Sequence, residues 1–248
     1  MSDNPSGATT GNRPDPRARV ALLVPSSNTV MENDLHAALS KDRVTVHTAR
    51  MYLTVTTPEA EERMIDQEAP KAADDLGTLN PDVLVFGCTS AGALHGLDYD
   101  TKVCGDLGRR AGCPAIGVIS SVSAALGRRK LSTVAVITPY IDSLTEAVAR
   151  SVGESGIEVV AAHGMGIDVN VALADPTPDD IAEFAKQRLS SLTFDGLFVS
   201  CTNFRSVEAI GRLEKIFDCP VVTSTSATIE ALRGHLGLDA PRPKGGSR

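Results

Sequence analysis

No cluster of lysine and arginine interrupts the acidic balance of this 248-residue chain, in which 24 Lys+Arg face 31 Asp+Glu for a net charge of −7. A surface of that sign repels phosphate backbones, which argues against nucleic acid as a partner. No apolar run exceeds six residues, far short of the roughly 20 that cross a bilayer, so no membrane partner is expected. The first twenty residues, MSDNPSGATTGNRPDPRARV, hold no apolar h-region and do not read as a signal peptide. The five cysteines are odd in number and lack CxxC or disulfide-framework spacing. Reduced thiols in a cytoplasmic protein are the expectation. The five histidines, at 36, 47, 95, 163 and 235, show neither HExxH nor i, i+4 spacing and have no acidic cluster beside them, so no metal site is expected. Phosphate loops of the GxxxxGK[ST] or strand-following GxGxxG kind are missing, as is a GxSxG elbow. No cofactor is expected.

What is present is a 42% apolar chain in which short β-branched runs alternate with amphipathic stretches. The strand candidates are 20–24, 44–49, 82–87, 114–119, 133–137, 157–162, 196–200 and 220–224. Several are apolar without alternation, as strands buried on both faces of a parallel sheet are. Helical patterns fill 29–40, 58–79, 99–111, 121–129, 142–154, 178–192, 205–217 and 226–235. The chain also resembles itself at a shift of about 113 residues: RVALLVPSSNTVMENDL with TVAVITPYIDSLTEAV, DVLVFGCTS with DGLFVSCTN, and GCPAIGVISS with DCPVVTSTS. The fold expected is α/β, two similar lobes with parallel-dominated sheets flanked by helices. Residues 1–18 read as a disordered lead, 19–130 and 131–236 as the N- and C-terminal lobes, and 237–248 as a flexible tail.

Ligands of open parallel sheets bind beyond the carboxyl ends of the strands, so the two lobes should face each other across a cleft. Cys88 and Cys201 hold matching places there, each after a strand and before a threonine. A buried cysteine is usually just an apolar residue, but a matched pair with the same Cys-Thr flank points to chemistry. Each thiol is expected at a helix N-terminus, where the dipole would favour thiolate. One could then attack or take a proton while the other gives one. Cys104, Cys113 and Cys219 read as structural. Asn28, within Pro25-Ser26-Ser27-Asn28-Thr29, can cap the first helix or present donors to a carboxylate. Tyr140 stands in the corresponding place of the second half. Asn170 and Arg205, the latter able to pair with a substrate carboxylate, are further candidates, though a loop Asn is commonplace and a solvated helix Arg is the readier account of Arg205.

Val24-Pro25-Ser26-Ser27-Asn28 with Glu32, Thr138-Pro139-Tyr140, the two cysteines, and the spacing of Tyr140, Asn170 and Cys201 together resemble the Asp/Glu racemase superfamily, most closely its maleate cis-trans isomerase branch. The resemblance covers about 19–235. It implies an active site in the interlobe cleft, with Cys88 adding to the alkene of maleate to give a succinyl-cysteine. Rotation about the resulting single bond and elimination then yield fumarate, with Cys201 managing the proton and no cofactor or metal taking part. It also implies substrate-binding roles for Asn28, Thr89, Ser90, Tyr140, Asn170, Thr202 and Asn203. The polar flanks Cys88-Thr89-Ser90-Ala91 and Cys201-Thr202-Asn203-Phe204 are more like those of amino-acid and hydantoin racemases. A racemase of an acidic amino acid with the two cysteines as acid/bases is therefore the alternative, and an arylmalonate-type decarboxylase or a silent binding module stands behind it. The partner expected is a small dicarboxylate, and the acidic surface permits a homodimer, which is the expected assembly.

Overall fold

Two four-stranded sheets, built in the same order, carry the chain. The computed structural model describes residues 15–239, so the expected lead and tail lie outside the described residues over 1–14 and 240–248. The first sheet runs β2-β1-β3-β4 and comprises β1 (Ala18–Pro25), β2 (Val44–Met51), β3 (Val83–Phe86) and β4 (Ala115–Gly117). The second runs β6-β5-β7-β8, from β5 (Thr133–Tyr140), β6 (Glu158–Ile167), β7 (Gly196–Val199) and β8 (Val221–Thr223). Every pairing within these sheets is parallel. Helices cover both faces, and that is why the central strands need no alternation: Val20 through Val24 and Val83 through Phe86 are all fully buried.

The helices are α1 (Met31–Ala38), α2 (Pro58–Arg63), α3 (Ala69–Gly77), α4 (Thr89–Ala93), α5 (Leu97–Ala111), α6 (Val118–Arg128), α7 (Asp142–Gly153), α8 (Pro178–Leu189), α9 (Ser206–Phe217) and α10 (Ser224–His235). Local chemistry sets their ends. Thr57 caps α2 ahead of Pro58, and Thr177 and Thr223 form capping boxes with Asp180 and Ser226. Gly112, with φ +71°, takes the left-handed turn that stops α5.

The structure departs from the sequence expectation in three places. The single helix expected over 58–79 is broken by a π-helical turn at Met64–Glu68, because Pro70 can neither donate to the preceding turn nor share its space. The strand expected over 114–119 ends at Gly117, since Asp100 accepts from the Ser120 N–H at 3.0 Å and helps begin α6 early. The 3-10 turn at Asn170–Ala174 stands where no element is expected, whereas α4 starts at Cys88 as the Cys-Thr-Ser run predicts.

The lobes are tied together at their strand ends. Helix α4 packs on α7, and α6 on α10. Above the cleft, loops from both lobes meet in an antiparallel bridge between Val55 and Val169. The Thr56 N–H donates to the Asp168 carbonyl at 2.6 Å, and the Asn170 N–H to that of Thr54 at 2.9 Å.

Gly87 follows β3 and immediately precedes Cys88, and its N–H donates to the Leu23 carbonyl at 2.7 Å. A Cβ there would lie 2.7 Å from Met31 Sδ and 2.8 Å from the Leu23 oxygen. The backbone contact cannot swing aside as a side chain can. Gly87→Ala is therefore expected to destabilise by about 1–3 kcal/mol, a fall in Tm of roughly 2–10 °C for a chain of this size. Thermal melts followed by circular dichroism check it, and an unchanged Tm would show that the end of β3 can yield.

Candidate active site

Cys88 and Cys201 stand at the ends of β3 and β7, each 3% exposed. Cys88 is the N-cap of α4. Its sulfur accepts from the Ala91 N–H and lies 3.9 Å from Ser90 Oγ. Cys201 adopts φ +97°, a left-handed conformation that costs a non-glycine residue about 1–3 kcal/mol and persists only where its surroundings enforce it. Its N–H donates to Ser224 Oγ at 3.0 Å, and its sulfur accepts from the Asn203 N–H at 3.2 Å. The buried Tyr140 hydroxyl hydrogen-bonds the same sulfur.

The remaining residues expected at the site are brought together here, most of them in hydrogen bonds across the cleft. Asn28 Oδ1 accepts from the Val30 and Met31 N–H groups, at 3.1 and 3.0 Å, and so caps α1. Its Nδ2 donates to Thr202 Oγ1 at 3.2 Å, and that hydroxyl donates onward to the Gly87 carbonyl at 2.9 Å. Asn170 Nδ2 donates to Ser27 Oγ at 2.7 Å while Oδ1 accepts from Thr56. Asn203 accepts from the Thr29 N–H at 2.8 Å and donates to the Asn170 carbonyl at 2.7 Å. Thr89 Oγ1 donates to Ser224 Oγ at 3.0 Å. An amide nitrogen has two hydrogens, and these bonds use one on Asn28 and one on Asn170. Each can offer the other to an oxygen.

Arg205 does not join them. It pairs with Glu208 at 2.8 Å on the outer surface. Glu32 likewise serves its own lobe, binding Thr48 and Arg50. Cys104, Cys113 and Cys219 take no part in the cluster.

The expectation that helix dipoles make both thiols acidic is overturned. Helix α9 begins at Ser206, five residues beyond Cys201, so Cys201 does not cap the helix that follows it. Helix α4 does begin at Cys88, but it is only five residues long. Burial dominates at both. It pushes Cys201 up to about 12 in spite of Tyr140 and the Asn203 N–H. Cys88 stands well above its ordinary value, through burial first and then the negative charge of Glu61.

Glu61 is the site residue that the sequence reading missed. It is fully buried on α2, and its Oε1 accepts a short hydrogen bond from Ser90 Oγ. Its Oε2 meets no partner among the described residues. Burial raises its pKa to about 8, against a smaller lowering by Ser90. A signal was available, because Glu61 shares the inward helical face of Met64 and Ile65, three and four residues on.

The sequence carries a family signature over most of its length. A family model described as arylmalonate decarboxylase matches residues 20–248. The chain belongs to the arylmalonate decarboxylase family. Within this wider resemblance, maleate isomerase of Pseudomonas putida is 28% identical over 244 residues, covering 92% of this chain and 96% of its own. A structure of the maleate isomerase from Pseudomonas putida S16 with maleate superposes with a TM-score of 0.82 at 27% identity, over 90% of this chain and 93% of that one. The fold is also shared, at 20% identity and a TM-score of 0.81, with a Nocardia farcinica maleate cis-trans isomerase variant that carries a covalently bound succinylcysteine intermediate, over 89% and 93% of the two chains. Among the described residues no cluster of three or more His, Cys, Asp or Glu could hold a metal ion.

The raised pKa of Glu61 makes stability depend on pH. From about pH 4.5 to about 8 the folded protein keeps a proton on Glu61 that the unfolded chain has released, so stability falls as pH rises through that window and levels off above it. Glu61→Gln keeps the shape without the titration. The difference in unfolding free energy between the variant and the wild type is expected to move in the variant's favour by a few kcal/mol between pH 5 and 9. Chemical denaturation at both pH values checks it, and a pH-independent difference would mean that Glu61 is already ionised in the fold at pH 5.

Proposed function

We propose that the protein is a cofactor-independent cis-trans isomerase that converts maleate to fumarate through an adduct on Cys88. The observation that carries the reading is the pair of buried cysteines at equivalent strand ends of the two lobes, close enough for a charge on Cys201 to disfavour one on Cys88. The two relatives above that share 27–28% identity bear the name maleate isomerase.

The chemistry follows from the groups present. The Cys88 thiolate adds to one alkene carbon, and the π pair moves to the other, beside its carboxylate. Cys201 gives that carbon a proton, with Tyr140 hydrogen-bonded to the sulfur that must then carry charge. What was a double bond is now single, and it rotates. Cys201 takes the proton back, the C–S bond breaks as the double bond re-forms, and fumarate leaves. Asn28 and Asn170 offer one amide hydrogen each to the carboxylates, and the first-turn N–H groups of α4 add donors without a fixed positive charge. Neutral donors suit a dianion that must be held but not trapped before it reacts. The side chains of Thr89, Thr202 and Asn203 shape the pocket chiefly by fixing the lobes. Free thiols are what this reaction consumes and regenerates, so the setting proposed is the reducing cytoplasm, with a homodimer as the assembly.

Incubation with maleate, read by NMR, is expected to give fumarate. Cys201→Ala should keep addition but slow resolution, so that intact-protein mass spectrometry finds one added maleate mass on the peptide bearing Cys88. Cys88→Ala should show neither adduct nor turnover. If the wild type instead exchanged the α-proton of an acidic amino acid with D₂O and left maleate untouched, the racemase alternative would replace this reading.

A further inference from the structure

Adduct formation on Cys88 needs a thiolate, and the site supplies none at rest. Burial holds both thiols neutral, and among the described residues no lysine or arginine acts on either sulfur. What does lie beside Cys88 is a short chain of oxygens. Ser90 Oγ is 3.9 Å from Cys88 Sγ, within hydrogen-bonding reach of a sulfur, and it donates to Glu61 Oε1. Glu61 is fully buried, and its second oxygen meets no partner among the described residues. A buried carboxyl with an unused oxygen is costly, so its place next to a reactive sulfur calls for a reason.

We propose that Glu61, acting through Ser90, receives the Cys88 proton when the thiol is activated. The proposal rests on the isomerase reading only for its need of a thiolate. The S–H bond of Cys88 breaks and its proton passes to Ser90 Oγ, while the proton that Ser90 held passes to Glu61 Oε1. The electron pair stays on sulfur, and the negative charge moves from carboxylate to thiolate. No outside reactant enters, and the same path returns the proton after elimination. Because it works through Ser90, Glu61 is a positioning residue for the thiolate rather than a group that touches substrate.

The neighbours of Glu61 leave this role to it. From α4 it faces Ser90 and the capping Cys88, and from the second lobe Cys201 and Tyr140; its charge opposes ionisation of Cys88, Cys201 and Tyr140. Asp100 of α5 lies behind Gly92 of α4 and bonds the Ser120 N–H. Glu62 turns outward to His95 at 3.0 Å, and on the adjoining π-helical turn Asp66 acts on Tyr99. The Glu61 pKa near 8 therefore comes from burial and Ser90 alone, and it places the acceptor close to working pH.

The sign of one experiment separates a proton acceptor from a bystander charge. A carboxylate that acted only as a charge would oppose the thiolate, so its removal would speed alkylation of Cys88. A proton acceptor predicts the opposite. The labelling rate of Cys88 by iodoacetamide, followed on its own peptide by mass spectrometry from pH 6 to 10, is measured for wild type, Glu61→Gln, Ser90→Ala and Ser90→Thr. The wild-type rate is expected to rise near pH 8. Glu61→Gln and Ser90→Ala should be at least about 10-fold slower at pH 8, with the rise displaced upward, and Ser90→Thr, which keeps the hydroxyl, should stay near wild type. Equal or faster labelling in Glu61→Gln and Ser90→Ala, or no wild-type labelling of Cys88 below pH 10, overturns the proposal. If Glu61→Gln fails to fold, the contrast between the two Ser90 variants makes the same decision. No maleate is used, so a failure here stands apart from a failure to isomerise it.

Discussion

Everything at the strand ends depends on two lobes being joined by uncharged hydrogen bonds between buried side chains. Thr202 shows the pattern best: it accepts from Asn28 and donates to the Gly87 carbonyl, so one hydroxyl of the second lobe fixes both loops of the first. Asn203 and Asn170 do the same from the other side. Such bonds are worth about 1 kcal/mol each when made, and more is lost when one partner is removed and the other stays buried. The cleft is thus rigid because its polar groups are spent on one another, and only a few hydrogens are left over for a ligand.

The same constraint sets the electrostatics. A helix dipole contributes about 0.3–1 kcal/mol near an exposed terminus, whereas full burial can move a thiol by several pKa units at about 1.4 kcal/mol each. In this cleft desolvation wins, and both sulfurs are neutral at rest. Their reactivity has to come from where a proton can go, not from a standing charge. Tyr140 for Cys201, and Ser90 with Glu61 for Cys88, are the groups within reach.

The order of elements, the internal repeat and the cysteine pair were legible because each leaves a local mark: an apolar run, a Cys-Thr flank, a proline after a strand. The π-helical turn before Pro70 could be suspected but not placed, since a proline tells where a helix breaks and not how the break is absorbed. The environment of Cys201 was out of reach for a different reason. Its φ of +97° is imposed by Ser224 and Asn203, and Ser224 is 23 residues away in sequence. Glu61 lay between these cases. Its helical phase marks it as inward-facing, but the Ser90 hydroxyl that makes an inward glutamate tolerable comes from another helix, 29 residues later.

The bridge between Val55 and Val169 has a consequence for timing. Asn170 belongs to the strip of backbone that closes the cleft, for its N–H makes one of the two bonds holding the loops together and its side chain reaches Ser27 beneath them. Parting these loops would break both bonds and move Asn170 off Ser27, so this half of the site is complete only while the bridge between the lobes is closed.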